Sequence, residues 1–173
     1  IRTQIEDLYL GNKEAIHTMF RYKTEERDRN PLKAIDEQKQ KMYEFCDRVN
    51  NGSLKGWGGT SISSVIFLGL GGSILPQKFA SHALTKDFKD SALNFGFFSN
   101  PDGLELKNYL KNCDPKKTFF VLQSKSFKTP ELLFLANHAE SWLRSNGCPS
   151  KRLLETFAVV TSNKQAAFDK GYL

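Results

Sequence analysis

Two short stretches hold the residue types that can bind an anion. One is Gly69-Leu70-Gly71-Gly72-Ser73, a glycine turn between an apolar run and a helical pattern. Glycines let backbone N–H groups approach an anion, and a helix N-terminus adds about half a positive charge. The other is Ser124-Lys125-Ser126-Phe127-Lys128-Thr129, where Ser124, Ser126 and Thr129 offer hydroxyls and Lys125 a full charge. A helical pattern follows at once, with Thr129 placed as N-cap, Pro130 at its first position and Glu131 in its first turn. Capping accounts for Thr129 in part. It does not account for a Ser-Lys-Ser set just before the cap, so phosphate binding by the backbone of the glycine turn, Gly72 included, and by Ser124, Lys125, Ser126 and Thr129 is the expectation.

Other chemistries fit less well. The glycine turn has Ile74 where a dinucleotide fingerprint needs its third glycine, and the second apolar run ends in Ser99-Asn100 without a ribose-binding acid. No Gly-Lys-Ser/Thr follows the glycines, so a Walker A loop is excluded too. His17, His82 and His138 stand far apart with no ligand partner one turn on, and no metal site is expected. Asp102 and Glu131 sit in a turn and a helix start without a second acid or His beside them. No catalytic base is therefore assigned.

The whole-chain numbers agree with this. In 173 residues, 25 Lys and Arg stand against 19 Asp and Glu, a formal +6 spread along the chain. That sign suits a small anionic substrate, and no basic block reads as a nucleic-acid stripe. The longest apolar run, residues 65–70, is too short to span a bilayer. Cys46, Cys113 and Cys148 are odd in number and widely spaced, which reads as reduced thiols in a cytoplasmic protein. Aromatic residues, at 12% of the chain, are plentiful enough for a packed core, with Trp142 and the phenylalanines assigned to it.

The elements that must position the two loops follow from periodicity. Residues 1–52 read as a helical segment: apolar residues recur at helical steps over 5–20, residues 23–30 are a polar connection, and Pro31 opens a helix carrying Ile35, Met42, Phe45, Cys46 and Val49. Residues 53–173 read as a second, α/β domain, and from Ser64 the rhythm changes. Apolar runs at 65–68, 93–98, 118–122 and 157–160 alternate with helical patterns at 74–84, 104–110, 130–144 and up to Lys170. Continuous apolar strands alternating with helices predict an α/β fold, a three-layer αβα sandwich around a parallel sheet. In such a sheet ligands bind outside the carboxyl ends of the strands, where both loops fall.

These motifs resemble the first sugar isomerase (SIS) domain of the glucose-6-phosphate isomerase (phosphoglucose isomerase) family. The family stretch G-x-W-K-G-Y-T-G-K-x-I-T-x-V-V-N-I-G-I-G-G-S aligns without a gap on residues 52–73, GSLKGWGGTSISSVIFLGLGGS. Its S-N-I-D-G is matched by Ser99-Asn100-Pro101-Asp102-Gly103, and its S-K-T-F-T-T-x-E-T by residues 124–132. Ala136, Ala139 and Trp142 continue the match, and Thr161-Ser162-Asn163 fits the family's S-T-N. Departures are Ile74 for an Asp, Pro76-Gln77 for Gly-Pro, Leu132 for a Thr and Leu135 for an Asn.

The resemblance implies a flavodoxin-like strand order and a sugar 6-phosphate held by Ser73, Ser124, Lys125, Ser126 and Thr129. It implies an enzyme without cofactor, converting an aldose 6-phosphate to a ketose 6-phosphate through an enediol, and a homodimer when complete. The family's Arg, Glu, His and Lys that do the chemistry have no counterpart in residues 1–173. With Ile1 rather than Met at the start, the expectation is a piece of a longer protein, with a further strand past Leu173. A sugar-phosphate-sensing module regulating a partner is the alternative reading of the same motifs.

Overall fold

The computed structural model describes residues 30–84 and 93–172, with side chains from residue 36 onward. The helical pattern expected over 5–20, the connection at 23–29 and His17 lie outside the described residues. The chain divides into two compact units, Ile1–Asn50 and Asn51–Leu173. In the first, helix α1 spans Asn30–Asn50, with Pro31 in its opening turn. Phe45 and Val49 are half-buried, whereas Met42 and Cys46 of the expected apolar stripe are exposed.

The second unit alternates strand and helix. Its elements are β1 (Ser64–Gly69), α2 (Leu75–Ala83), β2 (Asn94–Phe98), α3 (Gly103–Leu110), β3 (Thr118–Gln123), α4 (Pro130–Ser145), α5 (Ser150–Leu153), β4 (Phe157–Val160) and α6 (Lys164–Phe168). The strands form one parallel sheet in the order β2-β1-β3-β4, as a flavodoxin-like domain requires. The chain steps from β1 outward to β2, then crosses back past β1 to β3. Right-handed crossovers therefore place α2 on one face and α3 and α4 on the other.

The face under α3 and α4 holds the main core. Ile66, Leu68, Phe120, Leu122 and Phe157 from the strands cluster with Leu106, Leu110, Leu132, Leu135, Ala136, Ala139 and Leu143 from the helices. Each fully buried Leu or Phe contributes about 1.5–3 kcal/mol, so this layer is the principal source of stability. All of β3 is buried, which is why its sequence reads apolar without alternation. Leu132 and Leu135, which depart from the family's polar residues, are fully buried in this layer. Trp142 packs on the cluster edge-on to Phe120, as expected.

Three phenylalanines assigned to the core are exposed among the described residues: Phe79 at 75%, Phe168 at 61% and Phe134 at 42%. The reason for Phe79 is local: α2 buries none of its residues, and Leu75 projects from the same side one turn earlier. Tyr172 does enter the core, edge-on to Phe127 and Phe157, and its hydroxyl donates to Glu140 Oε1. Burial, then the bond to Glu140 and its charge, push the Tyr172 phenol well above its ordinary range.

The glycine loop before β1 lies at the amino ends of the strands, away from the two candidate loops. Gly56 N–H donates to the Thr60 carbonyl and Gly59 N–H to that of Gly56, each at 2.9 Å. Trp57 packs on the core, with Lys116 Nζ 5.6 Å from its ring centroid. A Cβ on Gly56 would stand 2.0 Å from the Lys116 carbonyl oxygen. Backbone cannot yield as a flexible side chain does, so Gly56→Ala must push the loop off the turn before β3. The expected cost is about 1–3 kcal/mol. Thermal unfolding followed by circular dichroism checks this, and an unchanged midpoint contradicts it.

Candidate functional site

The reversal of direction between β1 and β3 makes a crevice at their carboxyl ends. Gly69, the last residue of β1, is in register with Gln123, the last of β3. A Cβ on Gly69 would lie 3.0 Å from the Gln123 carbonyl oxygen and 3.4 Å from the Ser73 Cβ. Its missing side chain is what lets the 69–73 turn fold back against the end of β3. Gly71–Ser73 form a single helical turn, closed by Ser73 N–H to the Leu70 carbonyl at 3.0 Å and Ile74 N–H to the Gly71 carbonyl at 3.1 Å. Gly71 has φ +49, and no atom lies within 4 Å of a Cβ placed on Gly71 or Gly72. Backbone at both glycines is therefore open to an approaching group. Ser73 is half-buried, and its hydroxyl has no partner among the described residues.

The 124–129 loop is tightly determined. Ser124 N–H continues the β3–β4 ladder to the Val160 carbonyl at 3.1 Å. Its buried hydroxyl accepts from Phe127 N–H at 3.1 Å and lies 3.2 Å from Thr129 Oγ1. Ser126 Oγ accepts from Lys128 N–H at 3.3 Å. Phe127 has φ +52, the only non-glycine residue in the left-handed region among the described residues. For a phenylalanine that conformation is costly. Burial of the whole ring holds it there.

The expected site residues come together only in part by direct bonds. Ser124 and Thr129 share a contact, Lys125 and Ser126 are exposed, and Gly72 and the half-buried Ser73 stand in the turn that follows β1. Thr129 corrects one expectation. It occupies the N-cap position of α4, but its side chain makes no capping bond and turns to Ser124 instead. The first N–H groups of α4 thus stay without a side-chain cap, leaving its positive end available. Lys125 takes part in no ion pair among the described residues.

Two polar residues belong to this crevice that motif reading missed. In the amide orientation that turns its nitrogen to the carbonyls of Ser73 (3.2 Å) and Ile74 (3.0 Å), the one that satisfies both ends, Gln77 sets its amide oxygen 3.0 Å from Gln123 Nε2. Gln77 thereby ties the glycine turn to the end of β3. The signal was its place in a family Gly-Pro position, which says nothing about a bridge. Ile74, where the family has Asp, is fully buried.

The other candidates resolve into scaffold. Asp102 caps α3, accepting from Leu104 N–H at 2.8 Å and Glu105 N–H at 3.2 Å. His138 Nδ1 bonds the Phe134 carbonyl at 2.9 Å, and its ring fills the space a side chain on Gly103 would need. Cys113 and Cys148 are free and buried, and burial raises both thiols above their ordinary range. No three His, Cys, Asp or Glu side chains among the described residues converge as metal ligands. None of the described helices is long and apolar enough to cross a membrane.

The family model of phosphoglucose isomerase matches residues 10–172. The chain belongs to that family. Among curated phosphoglucose isomerases it is 37% identical over 142 residues to the glucose-6-phosphate isomerase of Marinomonas sp. (strain MWYL1), covering 82% of this chain and 26% of that protein. It is 35% identical over the same length to the enzyme of Shewanella halifaxensis (strain HAW-EB4). The chain thus spans about a quarter of the length of the curated relatives it matches. In fold it is similar to a glucose-6-phosphate isomerase from Chlamydia trachomatis D/UW-3/Cx, with a TM-score of 0.69 and 24% identity over 91% of this chain and 29% of that one. A hypothetical protein from Thermus thermophilus gives a TM-score of 0.63 at 20% identity, covering 98% of this chain and 35% of its own.

The buried ring of Phe127 is the feature most open to test. Phe127→Ala keeps a non-glycine residue at the same backbone conformation but leaves a cavity against Tyr172. The expected loss is about 3–5 kcal/mol in denaturant unfolding. A loss under about 1 kcal/mol contradicts the view that burial holds this loop.

Proposed function

We propose that this chain is the phosphate-binding part of a glucose-6-phosphate isomerase, with the 69–73 and 124–129 loops gripping the phosphate of glucose 6-phosphate or fructose 6-phosphate. The observation that carries the reading is the in-register meeting of Gly69 and Gln123, which brings both loops to one crevice. Backbone at Gly72 and the hydroxyls of Ser73, Ser124, Ser126 and Thr129 supply donors. Lys125 supplies charge, and the N-terminus of α4 adds its dipole.

The role is positioning. Anchoring the phosphate fixes where C1 and C2 of the sugar lie, and a carboxylate base elsewhere in a complete enzyme then moves the proton through an enediol. Within this chain Asp102 is committed to its helix cap and Glu131 stands exposed at a helix start, so neither is proposed as that base. The complete enzyme is proposed to act as a cytoplasmic homodimer without a cofactor.

The test is titration of the chain with glucose 6-phosphate and with inorganic phosphate, followed by amide chemical shifts. Shifts concentrated at 71–74 and 124–132 are expected. Lys125→Ala should weaken binding by about 1–3 kcal/mol, the worth of a charge-assisted bond. Equal affinities for wild type and variant remove Lys125 from the site.

A further inference from the structure

The Lys125 carbonyl oxygen accepts three hydrogen bonds from the loop that follows β4. Ser162 Oγ donates at 2.8 Å, Thr161 Oγ1 at 3.1 Å and Ser162 N–H at 3.2 Å. Three donors on one oxygen over-determine its direction, since a carbonyl has two lone pairs. Thr161 cannot simply rotate away. Its oxygen also accepts from Asn163 N–H at 3.1 Å, so its single proton is directed to Lys125. Asn163 in turn caps α6 through Ala166 N–H at 3.1 Å, and Ala166 and Ala167 are buried in the core. A rigid element thus reaches across 36 residues of sequence to hold one peptide group.

The direction of that hold matters. β3 lies between β1 and β4, so the loop after β3 has the β4 loop on one side and the crevice on the other. The peptide is trans, and its N–H points opposite to its carbonyl. With the Lys125 carbonyl drawn toward Thr161 and Ser162, the N–H of Ser126 faces the crevice side. That N–H donates to no group among the described residues.

We propose that Thr161 and Ser162 are positioning residues for the anion site: by fixing the Lys125 carbonyl they aim the Ser126 N–H at the bound phosphate, without touching the ligand themselves. This rests on the reading of the 124–129 loop as a phosphate site. It gives the Thr-Ser-Asn stretch a role distinct from that of the residues expected to contact the phosphate.

The experiment compares wild type, Thr161→Val/Ser162→Ala and Thr161→Ser/Ser162→Thr in the 173-residue chain. Each is titrated with inorganic phosphate while the Ser126 amide resonance is followed. The apolar pair should weaken binding by about tenfold, as expected for the loss of two hydrogen bonds. The hydroxyl-preserving pair should bind as wild type does. Should the double variant not fold, Ser162→Ala alone keeps the Thr161 bond and should give an intermediate weakening. Wild-type affinity in the variants lacking hydroxyls overturns the proposal, as does equal weakening in the hydroxyl-preserving pair. A wild-type chain whose loops do not respond to phosphate overturns the underlying site reading, and this inference with it.

Discussion

The approach of Gly69 to the end of β3 governs the geometry of the site. A side chain at this position would meet the Gln123 carbonyl at 3.0 Å and the Ser73 Cβ at 3.4 Å. Without one, the glycine turn lies directly against the strand that leads into the 124–129 loop. Parallel pairing of β1 and β3 sets the height of both loops, and the reversal of chain direction between them opens the space. The order β2-β1-β3-β4 thus determines where the proposed anion would sit. The core beneath α3 and α4 keeps that order rigid.

The two loops hold their shapes by different means. The glycine turn relies on backbone freedom at Gly71 and on the Gln77 bridge to Gln123. The 124–129 loop relies on a buried aromatic ring, an internal hydroxyl pair and a carbonyl pinned from the next strand. Preorganisation of this kind matters for anion binding, because donors already aimed need no ordering when the ligand arrives. The cost appears at Phe127, whose left-handed backbone is tolerated because the ring has no exposed surface.

Much of this was legible in the residues. The strands at 64–69 and 118–123 read directly from unbroken apolar runs, because a parallel sheet buries both faces and suppresses alternation, and the edge strand at 157–160 from a short apolar run whose far end is exposed. The helix at 130–145 was equally plain from Pro130 and its apolar spacing. The loops were visible because glycine and hydroxyl residues cluster there against the surrounding pattern. What stayed hidden depends on tertiary approach. Exposure of Phe79 follows from α2 burying none of its residues, which residue type does not encode. The turn of Thr129 toward Ser124, rather than toward its helix, depends on a loop shape set by Phe127. The bonds of Thr161 and Ser162 to Lys125 join distant residues through side chain and backbone, and no local spacing announces them.

The central claim is that the crevice between the ends of β1 and β3 is an anion site. A crystal structure of the chain grown in phosphate tests it most directly. The account predicts one phosphate within hydrogen-bond distance of the Ser126 N–H and the hydroxyls of Ser73, Ser124 and Thr129, with Lys125 Nζ turned toward it. Phosphate bound only elsewhere, for instance at Lys116 and Lys117 at the amino ends of the strands, with the crevice empty at the same concentration, would contradict it.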